Sequence, residues 1–219
     1  GSNPSVLGYD ISDGPTKNKD GNFTNSKNQW KNVFKEDPKN ISSITKRAIE
    51  FIKSCKKENK PFYLQISHYA VHTNIESKEK SYNLLKNEAK GKQHKDVGFA
   101  AMTFDLDQGV GTLLNMIKKI GMEKNTYIIY MSDNGSVPNI PGAKKYEKSY
   151  NYPLSRGKWD ALEGGVRVPL IIAGPGIKND SESAIPVSGS DLLPTIVDIA
   201  GDKSIKLTEI DGGSFADIL

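Results

Sequence analysis

Tyr127-Ile-Ile-Tyr-Met-Ser-Asp-Asn-Gly135 is the stretch that decides the fold. Its first half is β-branched and aromatic, the pattern of a strand buried on both faces of a sheet. Ser132-Asp133-Asn134-Gly135 then supplies small polar residues and a glycine, which turn the chain. In an open α/β sheet, ligands gather in the crevice beyond the carboxyl ends of the strands. A carboxylate and an amide oxygen side by side at such an end, Asp133 and Asn134, are two hard ligands suited to Ca²⁺ or Mg²⁺. Taken alone, Asp-Asn-Gly is a tight turn after a strand. The rest of the chain changes that balance.

Immediately upstream, Met102, Leu106, Val110, Leu113, Ile117 and Ile120 recur at helical spacing, and Gly121 stops the pattern. That stripe is core rather than a cofactor site. Asp37-Pro38 offers a cap and a first-turn proline for an earlier helix, whose apolar face is Ile41, Ile44, Ala48, Ile49, Ile52 and Cys55. Phe62-Tyr-Leu-Gln-Ile-Ser67 reads as a strand, with His68 and His72 directly beyond its end. Residues 74 to 94 read as a polar loop with a short helix near Tyr82 to Lys90.

Downstream lies a Gly/Pro/Lys/Tyr loop from Ser136 to about Leu162. Val166-Arg-Val-Pro-Leu-Ile-Ile-Ala173 reads as a strand with a proline near its start, and Ser190 as the cap of a last helix, Asp191 to Ala200. Strand alternating with helix predicts an α/β fold with helices packed on the sheet. The expected organisation is an irregular lead-in over residues 1–40 and an α/β domain over 41–219. Tyr9, Phe23, Trp30 and Phe34 pin the lead-in. The sequons Asn22-Phe-Thr24 and Asn40-Ile-Ser42 read as chance in so Asn-rich a chain.

The 219 residues suffice for one substantial core. Thirty basic residues against 26 acidic ones give a net charge of +4, but the two signs are mixed along the chain. Nucleic-acid binding needs basic residues clustered on one face, so that class is not indicated. The single cysteine, Cys55, rules out an internal disulfide and a cysteine-built metal cage. No apolar run approaches the roughly 20 residues of a membrane helix. Gly1-Ser-Asn-Pro does not look like a natural beginning, so more sequence is expected ahead of it.

Three loops at strand ends therefore carry chemistry: His72 after one strand, Asp133 and Asn134 after another, and Lys158 with Glu163-Gly164-Gly165 before a third. A lone loop His, a lone Lys and a Gly-Gly pair are each ordinary surface features. Together a hard cation, an imidazole and an ammonium form a pocket for a tetrahedral oxyanion.

These residues carry a family resemblance. Asp133-Asn-Gly after an apolar strand, Lys158 followed by Glu163-Gly-Gly-Val-Arg-Val-Pro169, Ile171-Ile-Ala-Gly-Pro-Gly176 and Ser190-Asp-Leu-Leu-Pro-Thr-Ile-Val-Asp-Ile-Ala-Gly201 resemble the latter half of a sulfatase catalytic domain. Phe62 to Thr73 is similar to the family's strand ending in His before Thr-Pro, with Asn74 in place of the proline. The helix with Asp105 and Asp107, and Gly8-Tyr-Asp-Ile-Ser-Asp-Gly14, also have family counterparts.

The resemblance implies an alkaline-phosphatase-like sandwich, a mainly parallel sheet flanked by helices, and incomplete here. It implies Asp133 and Asn134 as calcium ligands, His72 and Lys158 as the catalytic residues that grip the sulfate, and Glu163 and Arg167 as supports of the Lys158 loop. The family's formylglycine nucleophile comes from Cys or Ser in C/S-x-P-x-R, which this sequence lacks; Cys55 sits in Ser-Cys-Lys-Lys-Glu. Two oxygens do not satisfy an ion that takes 6–8. The chain is thus expected to be part of a sulfatase acting on a sulfated small molecule or glycan, inactive without its missing first half, with an exported location (periplasmic, secreted or lysosomal) implied by the family. The rival expectations are a phosphoester hydrolase or mutase of the same superfamily, and a non-catalytic module binding sulfated glycans.

Overall fold

A computed structural model describes residues 4–13, 27–91, 95–137, 151–201 and 209–219. The sequon at Asn22, the ring of Phe23 and residues 138–150 of the loop expected after Ser136 lie outside them. The chain divides into two compact units, Gly1–Ile120 with Ser132–Val168, and Gly121–Met131 with Pro169–Leu219.

The first unit is built on helices. A turn at Pro38–Asn40 leads into α1, Ile41–Lys57. Asp37 caps across that turn, its carboxylate accepting the Ser42 and Ser43 amides at 2.7 and 3.0 Å. Ile41, Ala48, Ile52 and Cys55 form the buried stripe of α1, joined by Thr45. α2 spans Glu79–Leu85 and α3 spans Val97–Lys119. Asp96 caps α3 by accepting the Phe99 amide at 2.8 Å, and Gly121, with φ +69°, stops it. Of the stripe expected on α3, Met102 and Ile117 are buried, at 0% and 4% exposure. Gly109 admits α1 closely, since a Cβ there would lie 2.7 Å from the Ile41 side chain.

Two short strands, β1 Val33–Phe34 and β2 Glu76–Ser77, pair in parallel and tie the lead-in to the loop beyond His72. The strand expected over Phe62–Ser67 is not formed as a ladder among the described residues. Its side chains still alternate, with Phe62, Leu64 and Ile66 half-buried and Tyr63, Gln65 and Ser67 exposed. Side-chain packing holds it instead. Phe62 meets Phe51 of α1 edge-on at 5.7 Å, and Tyr9 lies 6.1 Å from Tyr63 and donates to Gln65.

In the second unit, β3 Ile128–Met131 and β4 Leu170–Ala173 pair antiparallel, Met131 opposite Leu170 and Ile128 opposite Ala173. The strand expected from Val166 starts at Leu170. Val166 closes a short helix α4, Glu163–Val166, and Pro169 lacks the amide that would extend the ladder. Burial on both faces is not realised either: Tyr130 is 43% exposed and Ile171 62%. A two-stranded ribbon offers too little surface to cover two faces. The last helix, α5 Leu192–Ala200, follows a Gly189–Asp191 turn capped by Ser188 rather than Ser190. Ser188 and Asp191 form a reciprocal capping box, and Gly201 at φ +74° ends the helix.

Candidate functional site

After β3 the chain enters Ser132-Asp133-Asn134-Gly135. The Ser132 hydroxyl donates to the Asn134 carbonyl at 2.9 Å and closes the turn. Two backbone bonds then join this turn to the Lys158–Gly165 loop. The Gly135 amide donates to Gly165 O and the Lys158 amide to Ser136 O, both at 2.9 Å. A Cβ on Gly135 would lie 1.8 Å from Gly164 O, and one on Gly164 would lie 2.2 Å from Arg156 O. Only glycine lets the backbones approach this closely. Lys158 thus departs from a point three residues beyond Asp133, a chain span of about 10 Å at most.

A residue that sequence reasoning missed organises this loop. Asn151 Oδ1 accepts the Ser136 amide at 3.0 Å, while its Nδ2 donates to Ser136 O at 2.9 Å and to Arg156 O at 3.0 Å. Arg156 pairs with Asp160 at 2.8 Å, and the other Asp160 oxygen accepts the Leu162 amide at 3.1 Å. Lys158 lies between two left-handed non-glycine residues, Arg156 at φ +60° and Trp159 at φ +77°. Conformations of this kind cost on the order of 1–3 kcal/mol each and cluster at functional sites. Glu163 and Arg167 pair with each other at 3.5 Å across α4, with side chains 62% and 70% exposed. An ion pair that open to water contributes little to stability.

Asp133 is exposed and its carboxylate makes no hydrogen bond to a described residue, so its oxygens and the half-buried Asn134 amide are the donors on this rim. Hard oxygens of this type suit Ca²⁺ but fall short of a full shell. Among the described residues, no group of three or more His, Cys, Asp or Glu is placed to hold a metal.

His72 occupies a different loop, anchored from the lead-in. Thr73 Oγ1 donates to Gln29 Oε1 at 3.2 Å, the Ile75 amide to Gln29 O at 2.9 Å, and the Val33 amide to Ile75 O at 3.0 Å. His72 Nδ1 lies 2.8 Å from Thr73 O and 3.1 Å from the Tyr69 hydroxyl. A carbonyl only accepts, so Nδ1 carries the hydrogen and Nε2 is left as the nitrogen that exchanges protons. No hydrogen bond between described residues joins this loop to the Asp133–Lys158 network.

His68 is part-buried, its Nδ1 has no hydrogen-bond partner among the described residues, and burial lowers its pKa. Asp105 is 3% exposed and structural, accepting the Ser81 hydroxyl at 2.5 Å and the Lys78 amide at 2.8 Å at the start of α2. Cys55 is buried on α1.

The family model described as Sulfatase matches residues 7–202. A protein named "Sulfatase" from Formosa agariphila is 33% identical over 214 residues, covering 89% of this chain and 36% of the relative. N-acetylglucosamine-6-sulfatase of Bos taurus is 38% identical over 114 residues, covering 52% of this chain and 18% of the relative. A solved structure titled Ps i-CgsB superposes with a TM-score of 0.67 at 30% identity, covering 79% of this chain and 36% of that one. A putative sulfatase yidJ from Bacteroides fragilis shares the fold, with a TM-score of 0.66 at 21% identity over 81% of this chain and 40% of that one. The chain spans 36% and 33% of the length of the first two curated relatives it matches. The fold is accordingly that of part of an alkaline-phosphatase-like domain, and the chain belongs to the sulfatase family.

Proposed function

We propose that this chain forms part of a calcium-dependent enzyme that hydrolyses sulfate esters. Asp133 and Asn134 supply two calcium oxygens, and the remaining ligands lie outside the described residues. Bound there, Ca²⁺ would draw charge from the sulfate oxygens. Lys158 contacts the sulfate through its ammonium, and His72 presents Nε2 to it. Charge develops on the bridging oxygen as the S–O bond breaks, so a fixed ammonium and an imidazolium lower that barrier. Protonated at Nε2 as well as Nδ1, His72 gives the Nε2 proton to the departing alcohol and is left as the neutral Nδ1–H imidazole. Glu163 and Arg167 steady the far side of the Lys158 loop. The nucleophile comes from outside this sequence, because Cys55 is buried on a helix and lacks the surrounding motif.

The observation that carries this reading is the bond from the Lys158 amide to Ser136 O, which seats Lys158 beside the Asp133 turn. A sulfated small molecule or glycan is the proposed substrate, and an exported location is proposed by analogy with the family. Assaying the intact protein on an aryl sulfate with and without chelator tests it. Turnover lost on chelation and restored by Ca²⁺ is expected; turnover indifferent to chelator contradicts the calcium role.

A further inference from the structure

The His72 imidazole stacks on the Tyr69 ring, centroids 4.9 Å apart and planes 28° from parallel. The Lys39 ammonium lies over that same Tyr69 ring, 4.9 Å from its centroid. Its side chain is 1% exposed, in the turn that precedes α1, 30 positions before Tyr69 along the chain. Glu76 lies beside it with a side chain 5% exposed. One carboxylate oxygen is 3.8 Å from the Lys39 ammonium and 2.7 Å from Lys35 Nζ, and the other accepts the Lys39 amide at 3.0 Å. Lys39 holds φ +52°, a left-handed conformation that a long side chain adopts at a cost.

A buried ammonium is an expensive way to fill space. An apolar side chain of similar volume at such a position is often as stable or more so. The cation gives what an apolar group does not, an electrostatic grip on an aromatic face. We propose that Lys39 and Tyr69 are positioning residues, in which the Lys39 cation holds the Tyr69 ring and that ring, stacked on His72, keeps the imidazole turned with its Nδ1–H on Thr73 O and Nε2 as the working nitrogen. This rests on the role given to His72 above. Glu76 keeps Lys39 in place and retains Lys35 as a partner when Lys39 is replaced.

The test reads the His72 ring nitrogens by ¹⁵N NMR in the intact protein, alongside turnover of an aryl sulfate. The unaltered protein shows one Nδ1–H tautomer. Lys39→Met and Tyr69→Leu bring the Nε2–H form to a comparable population and lower kcat roughly tenfold with little change in KM. Lys39→Arg, which keeps the cation, restores both readings. Should Lys39→Met fold poorly, Lys39→Gln removes the same charge while still bonding Glu76. A single Nδ1–H tautomer in the Lys39 and Tyr69 variants alike overturns the inference. A tautomer shift with unchanged turnover keeps the positioning role and removes His72 from the reaction.

Discussion

Backbone bonds at Ser136 and Gly135 stitch the loop of Lys158 to the turn of Asp133. If the Lys158 ammonium meets charge that develops only in the transition state, Lys158→Ala lowers kcat by about 10²-fold or more. Steady-state turnover on an aryl sulfate checks this, and an unchanged rate removes Lys158 from the site. Asp133→Ala takes one of two hard oxygens from the proposed ion, so calcium titration by calorimetry should show weakened affinity at unchanged fold. Equal affinity refutes the ligand assignment. Both residues could be named as candidates from the sequence because each sits in a short contiguous pattern. Asn151 was not. Its importance lies in three bonds to the backbone of residues 136 and 156, and no local pattern announces them.

Among the elements, the helices were legible and the strands only in part: β3 and β4 form inside the expected stretches, but shorter, and Phe62–Ser67 forms no ladder among the described residues. The stripes of α1 and α3 carry their own periodicity, and their caps Asp37 and Asp96 stand in the sequence. A strand is defined by its neighbour, so Phe62–Ser67 keeps its alternation without a ladder, and β4 begins only where Pro169 ends. The cap of α5 was misplaced by two residues because Ser188 and Ser190 look alike until the bonds to Asp191 are seen. Asn151→Ala unties the loop that carries Lys158. It should cost about 1–3 kcal/mol, read from chemical denaturation, since the backbone of residues 136 and 156 loses three hydrogen bonds. Asp191 bears on acid stability. The Gly213 amide, then that of Ser188, hold its carboxyl below the usual carboxylate range. Its contribution is therefore present above about pH 3.9 and lost as pH falls through the depressed folded value. Melting temperature followed downward from about pH 5 should fall less steeply in Asp191→Asn than in the unaltered protein. Parallel curves contradict that role.

At the scale of the whole molecule, family membership was legible from ordered motifs, and the residue composition added little. Where the His72 loop stands against the Asp133–Lys158 rim is not written in any local pattern, because the two loops are far apart along the chain and anchored by different segments, Gln29 for one and Asn151 for the other. That placement is the central claim. The measurement that addresses it most directly is a crystal structure of the intact protein soaked with Ca²⁺ and a sulfate ester. The account predicts Ca²⁺ at about 2.3–2.6 Å from oxygens of Asp133 and Asn134, with Lys158 Nζ and His72 Nε2 both within hydrogen-bond reach of the sulfate. Calcium bound elsewhere, or a sulfate touched by neither Lys158 nor His72, contradicts it.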